Sequence, residues 1–206
     1  MMIAFLALNW LSVSVDNAVN SAVAATSSNV AVSASITDSI VCQNSTTTVV
    51  FGTINSAAVY TPASSTGSNV SSSMSCASAG NGCTLYVNDT GSGAGNPGLW
   101  NSSASKLIGS ASAAFAQTAT LVAGTEGYGI QATTTAAGSG TALGVPARYA
   151  QIGTAVGGFN TTSTIVASST AWSTGKEILS TYKVAAAATT NAGSYADTVT
   201  YSCLSN

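Results

Sequence analysis

The stretch "NAGSYADTVTYSC" (Asn191–Cys203) alternates between two faces. Tyr195, Asp197, Val199, Tyr201 and Cys203 fall on one side of an extended chain. Ser194, Ala196, Thr198, Thr200 and Ser202 fall on the other. A period of two in β-branched and aromatic residues, introduced by Ala-Gly and ended by a cysteine, predicts a β-strand. The same pattern recurs upstream. "NVAVSASITDSIVC" (29–42), "TTTVVFGTI" (46–54), "NVSSSMSC" (69–76) and "CTLYVND" (83–89) read as strands. So do "AFAQTATLV", "GYGIQATTT", "ARYAQIGTAV" and "STIVASST" between residues 114 and 170. "KEILSTYKVAAAATT" (176–190) is the ambiguous segment. Its alanines favour helix, but "ILSTYKV" alternates and leads straight into the last strand, so a strand is expected. Many short strands separated by Gly/Asn turns predict an all-β chain folded as a β-sandwich.

The 206 residues suit one large domain or two small ones, and 46% hydrophobic residues are enough for a core. Charge is the unusual quantity: 5% of residues are charged, where about 25% is common. Lys106, Arg148, Lys176 and Lys183 are the only cations, and there is no histidine. Four scattered cations assemble no basic patch, so a nucleic-acid partner is not expected. Acid unfolding works mainly by protonating paired carboxylates and charging buried histidines. This composition has few of either, so the chain is expected to work in acid. A low-charge surface also needs another source of solvation. Five N-x-[ST] sequons, headed by Asn44, Asn69, Asn88, Asn101 and Asn160, offer covalent N-glycans.

Cys42, Cys76, Cys83 and Cys203 allow three pairings. Their spacing is not that of a zinc site, and no histidine can assist. Two disulfides in an oxidising, extracellular compartment are expected, with no metal and no cofactor. The N-terminal "MMIAFLALNWLSVSV" is apolar like the core of a secretory signal but has no basic flank, and it is too short and too soon polar to span a membrane. Ile3 and Phe5 lie in a run apolar on both faces. Leu11, Val13, Val15 and Val19 then alternate with Ser12, Ser14, Asp16 and Asn20, broken by Asn17. The segment reads as a sticky strand followed by a small-residue linker. The expected division is 1–28 for strand and linker and 29–206 for the sandwich. Any targeting signal is expected to have preceded residue 1.

Three stretches carry a family resemblance. "NVAVSASITDSIVCQNSTTTVVFGTI" resembles the opening of spore-coat-U-type and chaperone–usher-type pilins. "SSMSCASAGNGCTLYVNDTG" is similar to their next unit, and "AGSYADTVTYSC" to their closing strand. Together they cover about a third of the chain; residues 95–180 show no such likeness. Low charge, sequons and a second cysteine pair depart from the bacterial pattern. They are more similar to the glycosylated thread filaments of thermoacidophilic archaea. The resemblance implies an immunoglobulin-like sandwich lacking its final strand, filled by the N-terminal strand of an identical neighbour in an extracellular filament. Such donor-strand complementation joins backbone hydrogen bonds along an exposed edge to alternate side chains in pockets. The implied donor residues are Ile3, Phe5, Leu11, Val13, Val15 and Val19, with 26–36 as a second candidate. Four or five buried Leu or Val side chains supply a gross gain of about 10 kcal/mol. The contact is head-to-tail and propagates as an open filament. The resemblance also implies Cys42–Cys76 and Cys83–Cys203, with Cys76–Cys83 plus Cys42–Cys203 as the alternative.

Competing functions have specific anchors. "LYVNDTGSG" (85–93) resembles an aspartic-protease loop, but that chemistry needs two aspartates sharing a proton. Asp197-Thr198-Val199 lacks the glycine that shapes such a loop. Asp-Thr-Gly is also ordinary turn chemistry after a strand. No Ser-His-Asp or Cys-His pair can form without histidine, and a Lys–Asn crosslink through Lys183 has no partner singled out by spacing. A monomeric carbohydrate-binding adhesin could stack sugars on Trp100 and Trp172. The expected function is a structural filament subunit serving adhesion, cell–cell contact or biofilm, and not an enzyme.

Overall fold

A computed structural model describes residues 33–37, 39–62, 69–77, 80–91 and 95–206. Among them are thirteen strands and no helix. In chain order these are β1 (Ser39–Asn44), β2 (Val59–Tyr60), β3 (Asn69–Ala77), β4 (Cys83–Asp89), β5 (Gly98–Asn101), β6 (Lys106–Gly109) and β7 (Thr118–Thr120). They continue with β8 (Gly127–Thr134), β9 (Ser139–Gly140), β10 (Ala155–Gly157), β11 (Thr164–Ser168), β12 (Ser173–Ala185) and β13 (Val199–Ser205). The large sheet runs β1-β3-β12-β8-β10-β7, with β2 and β9 also pairing β12. The second sheet runs β11-β4-β13, and β5-β6 form a hairpin. The ladders are antiparallel. The compact unit is Ile36–Asn206. The expected boundary at 28/29 and the donor residues Ile3, Phe5, Leu11, Val13, Val15 and Val19 lie outside the described residues.

The core is the alternation made solid. In β12, Ile178, Ser180, Tyr182 and Val184 are buried, while Leu179, Thr181 and Lys183 between them are half-buried. β3 and β8 flank β12 on either side. Pairing along both edges, with a buried face of period two, outweighs the weak helix preference of its alanines. Met74 and Val70 of β3, Tyr128 and Ile130 of β8, and Leu85 and Val87 of β4 close the same apolar layer. Burial of this kind contributes about 25 cal/mol per Å² of apolar surface.

Besides "AFAQTATLV", which keeps only Thr118–Thr120 as β7, three expected strands change. "NVAVSASITDSIVC" pairs only from Ser39; residues 33–37 are exposed and unpaired. "ARYAQIGTAV" keeps only its end as β10, because Pro146 starts a turn in which Tyr149 and Ala150 both donate to its carbonyl (2.9 and 3.0 Å). That turn buries Tyr149 completely, and Arg148 bonds back to the Gly158 carbonyl. Gly157 lets the Tyr149 ring lie flat on the backbone, where a Cβ would collide with it. The third, "TTTVVFGTI", belongs to no ladder among the described residues.

The disulfides follow the alternative pairing: Cys42–Cys203 (Cα–Cα 6.1 Å) and Cys76–Cys83 (6.0 Å). The resemblance-based Cys42–Cys76 and Cys83–Cys203 are overturned by register. In the β1–β3 ladder Cys42 faces Met74 and Cys76 faces Ile40. In the β13–β4 ladder Cys203 faces Leu85 and Cys83 faces Ser205. Each expected pair is two residues out of step, a diagonal longer than a disulfide bridges well. Cys76–Cys83 instead closes the crossing from β3 in one sheet to β4 in the other. Cys42–Cys203 ties together the edge strands β1 and β13.

Candidate strand-accepting groove

Among the described residues β1 ends the large sheet and β13 ends the small one, so two edges without a described partner strand face each other beside the core. Between them, past the Cys42–Cys203 bridge, runs a cleft of about 960 Å³. One wall is the segment 46–56. Val49, Phe51 and Ile54 are half-buried against the core, while Val50 is 43% exposed. The alternation slips by one after Phe51, where Gly52 takes φ +72°, a conformation that favours glycine. No backbone hydrogen bond joins 49–56 to another described strand. It has the sequence pattern of a strand but no ladder partner among the described residues.

The opposite wall is the sequence 190–201. Ala196 and Trp100 exchange backbone hydrogen bonds (2.8 and 3.0 Å), and the Thr198 carbonyl accepts from Thr90 (3.2 Å). From Val199 the chain pairs with β4 alone. Its other edge faces the cleft. Tyr195, Asp197, Val199, Tyr201 and Cys203 are half-buried, and Ser194, Ala196, Thr198 and Thr200 exposed. The predicted two-faced pattern holds, and its inward face lines an open cleft instead of a closed core. Val70, Leu99, Tyr128 and Tyr182 make the floor. The Tyr182 and Tyr201 hydroxyls bond to each other at 3.0 Å, and burial holds both phenols well up in the neutral form. Phe51 meets the Tyr128 ring edge-on at 6.3 Å. The floor is largely apolar, while the walls carry many polar groups, among them Asn44, Thr46, Thr53, Asn55 and Asn191, and one carboxyl.

That carboxyl is Asp197, and it does not stand alone. The β4–β13 register sets Val199 opposite Asp89, which places the Asp197 side chain against that of Asp89. Asp89 is fully buried and accepts backbone hydrogen bonds from Gly91 (2.8 Å) and Gly98 (2.6 Å). Burial, then the neighbouring Asp89 charge, pushes Asp197 up to about 8. Burial also raises Asp89. The structure thus supplies the second aspartate that Asp-Thr-Gly chemistry would require. Both oxygens of Asp89, however, are occupied by backbone donors and sealed from solvent. A hydrolytic dyad needs an exposed water held between its carboxyls.

The sequons separate by environment. Asn44 is exposed at the end of β1, with Oδ1 accepting from Ser72 at 2.8 Å. Asn88 and Asn160 are half-buried, and Arg148 donates to Asn160 Oδ1 (3.2 Å). Asn101 is 1% exposed. Its Oδ1 accepts from Ser103 and Ala104 (both 3.1 Å), and its Nδ2 donates to the Ala192 carbonyl (3.3 Å). It is a turn-forming residue that pins the 190s wall, and a glycan on that nitrogen would unmake the contact. Glycopeptide mapping of native protein is expected to find Asn101 bare, with Asn44 the best-placed acceptor. The Asn69 side chain lies outside the described residues.

Sequence reading singled out the cysteines, the sequons and both aspartates, yet missed the 46–56 wall, the tyrosine floor and the Asp89–Asp197 contact. The one available signal for that contact was the repeated Asp-Thr at 89–90 and 197–198. Among the described residues no cluster suited to a metal is present, and no helix is long and apolar enough to cross a membrane. No family model, curated protein or solved structure matches this chain.

Proposed function

We propose that this protein is the structural subunit of an extracellular filament, built head-to-tail by strand donation, and that the groove between 46–56 and 190–201 receives the N-terminal strand of the next copy. The carrying observation is the pair of facing, unpaired edges over an apolar floor. A free sheet edge of this kind is a liability in a monomer, and one inserted strand would satisfy both walls and bury the half-exposed Val49, Phe51, Val199 and Tyr201. The alternation of Leu11, Val13, Val15 and Val19 matches such an acceptor. The likeness to pilins and thread filaments points the same way. The contact is heterologous and self-propagating, and two disulfides accord with assembly outside the cell. The aspartate pair is read here as structural, not catalytic. Trp100 belongs to the groove wall through its Ala196 bridge, and Trp172 lies against the Gly140 backbone before β12; neither needs a sugar to explain its place.

Negative-stain electron microscopy of native material tests this reading directly. Thin filaments with an axial repeat of one domain are expected. A monodisperse monomer under native conditions would favour the adhesin alternative.

A further inference from the structure

Asp89 and Asp197 meet where the 190s wall approaches the end of β4, beside the Thr90–Thr198 and Trp100–Ala196 hydrogen bonds. Asp89 ends β4 and is anchored by Gly91 and Gly98. Gly98 is itself fitted so closely over Ile108 and Gly109 that a Cβ there would collide with the Ile108 carbonyl. Asp197 sits on the groove wall just before β13. Its Oδ1 accepts from its own neighbour Thr198 (2.7 Å), while its Oδ2 is buried with no donor in hydrogen-bond geometry among the described residues. A buried acceptor left unpaired costs about 1–3 kcal/mol. Two carboxylates side by side would add repulsion to that. A single proton between them removes both defects, because it turns one oxygen into a donor.

The Tyr128 hydroxyl can donate to Asp197, but it offsets burial and the Asp89 charge only in part. Tyr128 of β8 faces Asp197 with its hydroxyl, and Tyr201 of β13 and Tyr182 of β12 complete the nearby titratable groups. No cation contributes to either aspartate. Lys106 is paired with Glu126 at 3.0 Å, Arg148 is bonded to Gly158 and Asn160, and Lys183 to the Gly153 carbonyl.

We propose that the Asp89–Asp197 carboxyl pair is a proton-dependent latch that holds the 190s wall against β4 and so keeps the groove in the shape that accepts a strand. The second half of this statement rests on the filament reading; the latch itself does not. With the proton in place the wall is cross-linked to β4. When the proton leaves, two buried anions press the wall away and the edge of β13 loosens. The direction follows from linkage. An acid held above its unfolded value of about 3.8 stabilises the fold fully below that value, and the contribution is lost as pH rises through about 8. The device favours assembly in acid and release in alkali.

The test uses the full chain. Its melting temperature is expected to fall by about 5–15 °C from pH 4 to pH 9. In Asp197→Asn, whose amide donates where the proton did and cannot ionise, that fall is expected to shrink to less than half. Equal slopes in parent and variant would overturn the latch. Should Asp197→Asn fold poorly, infrared difference spectroscopy of the parent decides. A protonated-carboxyl band persisting at pH 6 and vanishing above pH 8 supports the latch, and its absence at pH 6 overturns it. Neither readout needs filaments. A synthetic 3–19 peptide is then offered to the groove. At least tenfold weaker uptake at pH 9 than at pH 5 extends the latch to assembly, and equal uptake at both overturns its role there. Absence of binding at both would instead count against strand donation.

Discussion

Replacing Val13 with aspartate is expected to abolish filaments while leaving the subunit folded. On the proposed strand donation, the replaced methyl groups would otherwise enter the groove floored by Tyr128 and Tyr182. Losing their burial removes about 1.5–3 kcal/mol. The new carboxylate must also leave water for a cleft whose described lining already holds the Asp197 carboxyl, at a further penalty of several kcal/mol. A loss of about 3 kcal/mol already weakens a contact more than a hundredfold, and every joint in the filament carries the same defect. Leu11→Asp and Val15→Asp should behave alike, since they share the face. Val13 lies outside the compact unit Ile36–Asn206, so the melting temperature of that unit is expected not to move. Electron microscopy and a melting curve on one preparation give both answers. Filaments that persist when Leu11, Val13 and Val15 are all changed to aspartate would transfer the donor role to 26–36, where Ile36 is 82% exposed.

The two disulfides should differ widely in what they contribute. Cys42–Cys203 closes a separation of 161 residues and Cys76–Cys83 one of 7. On the chain-entropy account the long bridge is worth about 5 kcal/mol and the short one about 2.5 kcal/mol. Cys42→Ser with Cys203→Ser is therefore expected to lower the guanidinium midpoint about twice as far as Cys76→Ser with Cys83→Ser. In thermal terms the long bridge corresponds to about 10–20 °C for a unit of this size. Equal losses would mean that the register of β1 and β13 is not what positions these cysteines.

Which parts of this molecule could be read in advance depends on the range of the interaction. The two faces of 195–203 and of β12 were legible because alternation is a local property of the backbone. Partnership was not. "TTTVVFGTI" has every local mark of a strand, but whether a ladder exists beside it is decided by chain far away, or by another copy. The cysteine pairing failed for a related reason. Period two tells which face a cysteine occupies, whereas a disulfide also needs the register, and a shift of two residues leaves the faces unchanged. Asn101 shows the same limit, since Asn-Ser-Ser spells a glycan acceptor and an Asn-led turn with equal clarity. The Asp89–Asp197 contact was half visible: both residues stood out, but only the pairing of Val199 with Asp89 brings them together.

The Cys42–Cys203 bridge has a mechanical consequence once subunits are strung together. Tension on such a string enters a subunit through the segment leading into β1 and leaves through the strand seated beside β13. Without a covalent link, that pull would shear β1 from β3 and be transmitted across the whole sandwich. The bridge lets force pass from β1 to β13 directly, and the β3, β12 and β8 core lies off the line of pull. In the proposed filament, what would yield first under stretching is the seated strand at each joint, while each domain would keep its shape and be ready to be rejoined.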